Sequence, residues 1–258
     1  MNKTNILVAA LIVGLVSVAC IAQEEEEDQD GPIGYVYSTY SVCKLSGQDR
    51  ADEIVKEIEA PVYNALVEDG VINGWGWLSH HTGGQWRRLF YYQHDTVEGL
   101  LDAQDAMGER FDSMNLGDDA DRSDLCPAHD DYIWTVELAG GDPDAPRAAA
   151  GLSVYMICNE STEERADEIF ESTTAPILDQ LVADGKIASW SWLSHFIGGK
   201  YRRLQSMTGT DHKAVLAARG ELIEALYGGD EPNAEAVELN EICSGHTDYM
   251  WDTTVTGQ

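Results

Sequence analysis

Basic residues are scarce in this chain of 258 residues: 16 Lys and Arg stand against 46 Asp and Glu, a formal net charge of −30. Nucleic acids and anionic membrane surfaces are bound through basic faces, so we predict that neither is a partner. Proline is also rare, at 7 residues, whereas 43% of the residues are hydrophobic. That content is enough for a packed core, which excludes a disordered acidic chain.

Long hydrophobic runs are lacking except at the start of the sequence. The apolar run Ile6–Ala22 follows Lys3 and ends in small residues, which is the pattern of a secretory signal peptide. We therefore predict a signal peptide over residues 1–22, an acidic spacer over 23–34, and an exported protein that is periplasmic or extracellular. A membrane anchor and a lipoprotein signal ending at Cys20 are the alternatives.

An internal repeat organises the rest of the sequence. Residues 50–89 match residues 165–204 at 22 of 40 positions without a gap. A Cys-x-x-His-x-Asp-Tyr-x-Trp sequence also begins at both Cys126 and Cys243. Such self-similarity indicates a duplicated structural unit. The chain is predicted to contain repeat 1 (35–138), a linker rich in Gly and Pro (139–150) and repeat 2 (151–258).

The order of predicted elements in each repeat is β-α-β-β-α-β. A strand rich in Tyr, Val and Thr precedes a helix with an apolar residue at every fourth position. A hairpin around Gly83 and Gly84, a second helix and a last strand follow. Pro61 and Pro176 lie inside the first helices, where we expect kinks. This order is the ferredoxin-like pattern, so the predicted fold class is α+β, with two ferredoxin-like βαββαβ repeats fused in one chain.

Cysteine is sparse, and its positions follow the repeat. The four cysteines beyond the predicted signal peptide allow three disulfide connectivities. In the ferredoxin-like sheet order 4-1-3-2, the end of the first strand lies beside the start of the last. That arrangement selects Cys43–Cys126 and Cys158–Cys243, and export favours disulfides over free thiols.

The element order and the repeat resemble the dimeric α/β-barrel superfamily, particularly its NIPSNAP-like and EthD-like branches, in a tandem-fused form. The resemblance covers nearly all of residues 35–258 but includes no diagnostic motif. It implies that the two sheets pack face to face as an α/β barrel around a ligand cavity. It also implies a pseudo-dimer within one chain, and hence a monomer. Members of the superfamily include cofactor-free monooxygenases, isomerases and haem-degrading enzymes.

Alternation along the strands predicts which side chains line that cavity. Small and aliphatic residues of the second strand suit contact with helices, which turns its tryptophans toward the barrel interior. An aromatic cavity with one Arg in each half would hold a flat or apolar ligand that carries an anionic group. In the alternative, the tryptophans are simply core and each Arg pairs with Asp131 or Asp248. The predicted ligand-binding residues are Trp75, Trp77, Arg88, Trp134, Trp190, Trp192, Arg203 and Trp251.

Histidines form a second candidate group at one end of each sheet. The topology is expected to bring His80 and Arg87 near His129, and His195 and Arg202 near His246. Such pairs could act as a base with its orienting partner, as metal ligands, or as surface hydrogen-bonding groups. We predict His80 and His195 as the catalytic candidates, with Arg88 or Arg203 stabilising an enolate. The spacing matches no local metal motif, so no metal site is predicted.

The sequence contains no phosphate-binding loop, no nucleophile elbow and no closely spaced cysteine pair. The predicted function is therefore an exported protein that binds a small organic molecule. The alternatives are a cofactor-free monooxygenase or isomerase, and an extracellular structural or interaction protein with a solid barrel. No cofactor is predicted, and haem is the minor alternative. If one repeat alone is active, we favour the first, which has more aromatic residues and the additional His81.

Overall fold

The computed structural model describes residues 32–114, 121–142 and 145–257. The predicted signal peptide and nearly all of the acidic spacer lie outside these residues. Among the described residues, no helix combines the length and the hydrophobicity that a membrane crossing requires.

Eight strands form one closed barrel. The first half of the chain supplies β1 (Gly34–Val42), β2 (Gly74–Thr82), β3 (Arg88–His94) and β4 (Ala128–Gly141), and the second half supplies β5 (Ala150–Ile157), β6 (Ser189–Ile197), β7 (Arg203–Gly209) and β8 (Gly245–Gly257). Neighbouring strands around the barrel follow the order β1-β3-β2-β8-β5-β7-β6-β4, and every pairing is antiparallel. Each half thus contains the strand order 4-1-3-2 that the sequence predicted.

Two seams close the barrel, because the last strand of each half also pairs with the second strand of the other half. Strand β8 pairs with β2, and β4 pairs with β6. Strand β4 continues to Gly141, inside the predicted linker, because Ala139, Gly140 and Gly141 still pair with β6. Closure leaves none of the eight strands with an unpaired edge.

Helices cover the outside of both sheets. The first half has α1 (Gln48–Ile54), α2 (Ala60–Glu68) and α3 (Val97–Met114), and the second half has α4 (Glu163–Ile169), α5 (Ala175–Ala183), α6 (His212–Tyr227) and α7 (Ala234–Ile242). Helices α1 and α2, like α4 and α5, are joined by one π-helical turn. Pro61 and Pro176 lie in the first turn after it, so a π-helical turn stands where we predicted a kink.

Disulfides connect the first and last strands of each half. The bonds are Cys43–Cys126 and Cys158–Cys243, so the predicted connectivity is confirmed. Such bonds form and persist in oxidising compartments, and they favour an extracellular or equivalent environment.

The hairpin turn of each half packs on the other half. A Cβ atom added to Gly84 would lie 2.3 Å from the hydroxyl of Tyr249, and one added to Gly199 would lie 2.4 Å from that of Tyr132. Both distances are too short for any side chain. Glycine at these turns therefore lets the backbone of one half lie against a tyrosine of the other.

Candidate functional site

Aromatic rings fill the interior of the barrel. Trp86 stacks on Tyr40 with ring centroids 4.2 Å apart and on Tyr249 with centroids 4.9 Å apart. Tyr132 stacks on Trp134 at 4.8 Å. Rings this close exclude water and leave the centre of the barrel as a packed core. The interior rings are Tyr40, Trp86, Tyr91, Tyr132, Trp134, Tyr155, Tyr201, Tyr249 and Trp251.

The phenols of this interior are held in their protonated form. Burial raises the pKa of Tyr40 to about 12, and its hydroxyl oxygen accepts a hydrogen bond of 3.2 Å from Nε1 of Trp134. Burial also raises the pKa of Tyr155 well above its ordinary value. Neither group can act as a base at neutral pH. Of the predicted ligand-binding residues, Trp134 and Trp251 lie in this interior.

The predicted placement of the other four tryptophans is wrong. Trp75 and Trp77 lie beneath the helices, where their indole nitrogens donate to Asn64 at 2.9 Å and Asp52 at 2.7 Å. Trp190 and Trp192 occupy the same places in the second half and donate to Asp179 and Asp167.

The small residues of β2 explain this error, because they face the interior and not the helices. A Cβ atom on Gly76 would lie 2.5 Å from the ring of Tyr91, an interior residue. Small residues thus make room for large rings from neighbouring strands.

The predicted placement of Arg88 and Arg203 inside the barrel is also wrong. Arg88 donates from Nε and Nη2 to the two oxygens of Asp52, both at 2.6 Å, and it is 4% exposed. Arg203 donates in the same way to Asp167, and also to Glu163 at 3.1 Å. Both arginines therefore fasten a strand to the first helix of their own half. The alternative pairing with Asp131 or Asp248 is wrong as well.

One sequence signal could have located these ion pairs. Asp52 and Asp167 occupy the same position of the repeated segment Arg-Ala-Asp-Glu-Ile, and Arg88 and Arg203 also match across the repeat. An acidic and a basic residue that are both repeated in the two halves are expected to form a structural ion pair. The prediction missed it because strand alternation was used to place the arginines first.

His80 and His195 are neutral and bound to arginine. Nδ1 of each accepts a hydrogen bond of 2.9 Å, from Arg87 and from Arg202 respectively. Burial and the nearby guanidinium lower the pKa of both rings. His195 lies against the rings of Tyr132 and Trp134, at centroid distances of 6.1 and 6.3 Å.

The other histidines of the candidate group pair with carboxylates. Nδ1 of His129 lies 2.9 Å from Asp131, and Nδ1 of His246 lies 2.7 Å from Asp248. Each of the four histidines thus has its own polar partner, and none of the described contacts joins His80 to His129 or His195 to His246.

A cavity of about 260 Å³ lies between the second sheet and its helices. Apolar side chains of β5, β7, α6 and α7 form most of its wall, and the polar residue His246, whose side chain is 55% exposed, lies at its edge. Its volume is near the lower end of the ~300–1,000 Å³ that is typical of small-molecule sites. The lining residues are Val154, Met156, Phe170, Thr174, Gln205, Met207, Arg219, Leu222, Ile223, Leu226, Tyr227, Leu239, Asn240, Cys243 and His246.

Differences between the two halves account for this cavity. Gln205 and Met207 occupy the strand positions of Phe90 and Tyr92 in the first half. There, Phe90 packs on Tyr63 with ring centroids 4.7 Å apart.

In the first half, a buried polar cluster also helps to fill the space that corresponds to the cavity. The hydroxyl of Tyr63 donates to Glu59 at 2.9 Å, and Arg122 donates to the same carboxylate. The residue that matches Glu59 in the second half is the smaller Thr174. We favoured the first half because of its aromatic residues, and those residues fill the space that is open in the second half.

The polar edge of the cavity contains an ordered histidine. Asp248 receives a hydrogen bond of 2.6 Å from Arg219, which fixes the carboxylate, and its other oxygen lies 2.7 Å from Nδ1 of His246. A carboxylate on Nδ1 orients the imidazole and leaves Nε2 able to accept a proton. The arrangement can therefore bind a polar group or remove a proton from one.

Haem requires more space than this cavity provides, since it is larger than most drug-sized ligands. We assign no chemistry to it.

Similar folds occur among solved structures. A monooxygenase candidate from Fusobacterium nucleatum superimposes with a TM-score of 0.60 at 9% identity, covering 88% of this chain and 95% of that one. An anthrone oxidase-like protein has a TM-score of 0.52 at 15% identity, covering 88% and 93%. A monooxygenase candidate from Lactobacillus acidophilus has a TM-score of 0.52 at 5% identity, covering 88% and 96%.

At these identities the similarity shows the fold alone. The chain shares with these structures the fold of a closed α+β barrel built from ferredoxin-like halves. The comparison with protein-family models and the comparison with curated proteins found no match to the sequence.

Proposed function

We propose that this protein is an exported α/β barrel, formed by tandem fusion of two ferredoxin-like halves, that binds a small organic molecule in the cavity of its second half. The observation that carries the proposal is the cavity of about 260 Å³, with a mostly apolar wall and a polar edge. A site of this kind suits a compact apolar ligand with one polar or anionic head group. Arg219 and His246 would lie nearest that head group.

The rest of the proposal follows from the chain itself. Two halves of one chain already close the barrel, which supports the proposal that the protein acts as a monomer. The net charge of −30 argues against nucleic acid and anionic membranes as partners. The disulfides and the apolar start of the sequence support export. The element order and repeat support a tandem-fused member of the NIPSNAP-like or EthD-like branch.

Filling the cavity with residues of the first half should abolish ligand binding. Gln205→Phe with Met207→Tyr copies the side chains that occupy the matching positions there, Phe90 and Tyr92. We expect the affinity for octanoate or benzoate to fall at least tenfold, measured by calorimetry and by tryptophan fluorescence. Trp192 is a suitable reporter because it stacks on Phe170, a wall residue, with centroids 4.0 Å apart.

Leu216→Gln is the control for this experiment, since Leu216 is 45% exposed on α6 and does not line the cavity. Overpacking can cost about 1–3 kcal/mol, so the single variant Met207→Phe provides a milder filling. Equal binding by the wild type and both filled variants would contradict the proposed site. If the wild type binds no member of the panel, the structural protein with a solid barrel becomes the better interpretation.

A cofactor-free monooxygenase or isomerase is the second candidate function, and His246 is the observation that favours it. Its Nδ1 contacts Asp248 at 2.7 Å while its ring lines the cavity, so Nε2 could remove a proton from a bound substrate. His80 and His195, whose Nδ1 atoms are engaged by arginine, are less suited to that role.

Deuterium exchange into a bound ketone would test this second candidate. The wild type in D₂O should exchange the acidic C–H position, and His246→Asn should lower the rate by about 10²–10⁴-fold, the usual contribution of a general base. His129→Asn is the matched control, because His129 pairs with Asp131, the counterpart of Asp248, in the half whose corresponding space is filled. Exchange that is unchanged in His246→Asn would exclude His246 as the base.

A further inference from the structure

Three potential metal ligands meet at the seam between β2 and β8. They are His81 on β2, Asp252 on β8 and His212 at the start of α6. One ligand atom from each lies within 4.8 Å of those from the other two. This group lies apart from the cavity, since none of the three residues lines it.

The distances are close to those that a metal ion requires. Nδ1 of His81 lies 3.2 Å from one oxygen of Asp252, and Nε2 of His212 lies 2.7 Å from the other. A tetrahedral Zn²⁺ with bonds of about 2.0–2.1 Å holds its ligand atoms roughly 3.4 Å apart. The centroids of the two rings lie 3.8 Å apart, with the ring planes inclined by 31°. Two imidazoles on one tetrahedral ion have centroids about 5 Å apart, so side-chain rotations that separate the two rings would complete the set.

The other seam of the barrel has none of these ligands. The matching positions between β4 and β6 are Phe196, Thr135 and Val97. Both seams have a register shift at this point, between His80 and Thr82 in one and opposite Phe196 in the other. At the second seam the ring of Phe196 packs edge-on against Tyr35 at 5.8 Å. The same backbone irregularity thus supports an apolar contact at one seam and a ligand set at the other.

We propose that His81, His212 and Asp252 bind one Zn²⁺ ion that links the two halves of the barrel. Two imidazoles and one carboxylate form the protein ligand set of many zinc sites, with a water in the fourth position. Nitrogen ligands disfavour Mg²⁺ and Ca²⁺, which prefer oxygen. His81 and Asp252 have side chains that are each 47% exposed, so the ion and its water can reach the site from solvent.

The surroundings of His212 set the expected affinity. Zinc on Nε2 places the ring proton on Nδ1, and Nδ1 is buried without a hydrogen-bond partner among the described residues. Loss of such a supporting contact typically weakens metal binding by about 10–100-fold. We therefore expect micromolar rather than nanomolar affinity. Because the ligands come from three elements and both halves, bound zinc should stabilise the closed barrel.

Calorimetry of the full chain with Zn²⁺ tests the proposal. We expect one ion per chain, and a rise in melting temperature of roughly 5 °C or more at about 100 times Kd. Co²⁺ should give the intense visible absorption of a tetrahedral site. Mg²⁺ and Ca²⁺ at the same concentration serve as controls for general attraction to an acidic protein.

The opposite seam supplies the matched variants His81→Phe, Asp252→Thr and His212→Val. Each should reduce Zn²⁺ affinity at least 30-fold and remove the Co²⁺ band, whereas His246→Asn should change neither. The proposal is wrong if the wild type shows no saturable Zn²⁺ binding, or if His81→Phe retains it. Should a variant fail to fold, the Co²⁺ spectrum of the wild type still decides: no tetrahedral band contradicts the site. Octanoate binding by the wild type is measured in a separate experiment. The zinc site and the ligand-binding cavity can therefore be contradicted independently of each other.

Discussion

Removing either disulfide should lower the free energy of unfolding by about 4–5 kcal/mol. Cys43–Cys126 spans 83 residues and Cys158–Cys243 spans 85. In the chain-entropy model, a cross-link over a loop of this length reduces the conformational entropy of the unfolded state. The reduction raises the free energy of that state by about 4.5 kcal/mol at 25 °C. The bond itself changes little in the folded barrel, where the cysteines are buried.

The measurement is guanidinium unfolding of the double variants Cys43→Ala/Cys126→Ala and Cys158→Ala/Cys243→Ala. Each variant is the control for the other, because their loop lengths are nearly equal. We expect similar losses from the two variants. A loss below about 1 kcal/mol from either would show that this bond does not restrict the unfolded chain as the model requires.

Arg88→Met should destabilise the fold without affecting ligand binding. The side chain of Arg88 is 5% exposed and that of Asp52 is 24% exposed, so the substitution leaves a largely buried carboxylate without its charged partner, with the indole of Trp77 still donating to it. Breaking a buried ion pair in this way costs about 3–5 kcal/mol, and the partial exposure of Asp52 favours the lower value. Arg203→Met should cost a similar amount, because Asp167 loses its charged partner while Glu163 keeps its ion pair with Arg202.

Urea unfolding midpoints measure this effect, and Arg87→Met is the neighbouring control. Arg87 donates to His80, so its loss should cost less than about 1 kcal/mol. The double variant Arg88→Met/Asp52→Asn should recover part of the loss, since it removes the unpaired charge and keeps an oxygen that can accept from Trp77. Unchanged stability in Arg88→Met with lost binding of octanoate would instead support the sequence-based assignment of Arg88 to the ligand.

Several features of this protein followed from residues that are close in sequence or repeated in it. The 115-residue offset of the repeat and the order of helix and strand patterns predicted the fold of each half. That order alone brought Cys43 to Cys126, because a ferredoxin-like sheet places its first and last strands side by side. Local patterns were sufficient here since each element needs only its own periodicity to be recognised.

The faces of the strands were decided only in the tertiary structure. Both faces of each sheet are buried, one by helices and one by the barrel, so hydrophobic alternation distinguishes two sets without assigning either. The small size of Gly76 suggested that this face of β2 contacts the helices. In the structure, the ring of Tyr91 occupies the space next to Gly76. The four tryptophans of β2 and β6 and the two arginines therefore face the helices.

Both proposed sites also depend on contacts that no sequence pattern contains. The cavity exists because Thr174 in the π-helical turn and Gln205 and Met207 on β7 are jointly smaller than their counterparts in the first half. His81, His212 and Asp252 are up to 171 residues apart and meet only because the barrel closes through β2 and β8. The sequence by itself determined the elements, their order and the disulfides, whereas closure of the barrel decided which side chains face each other.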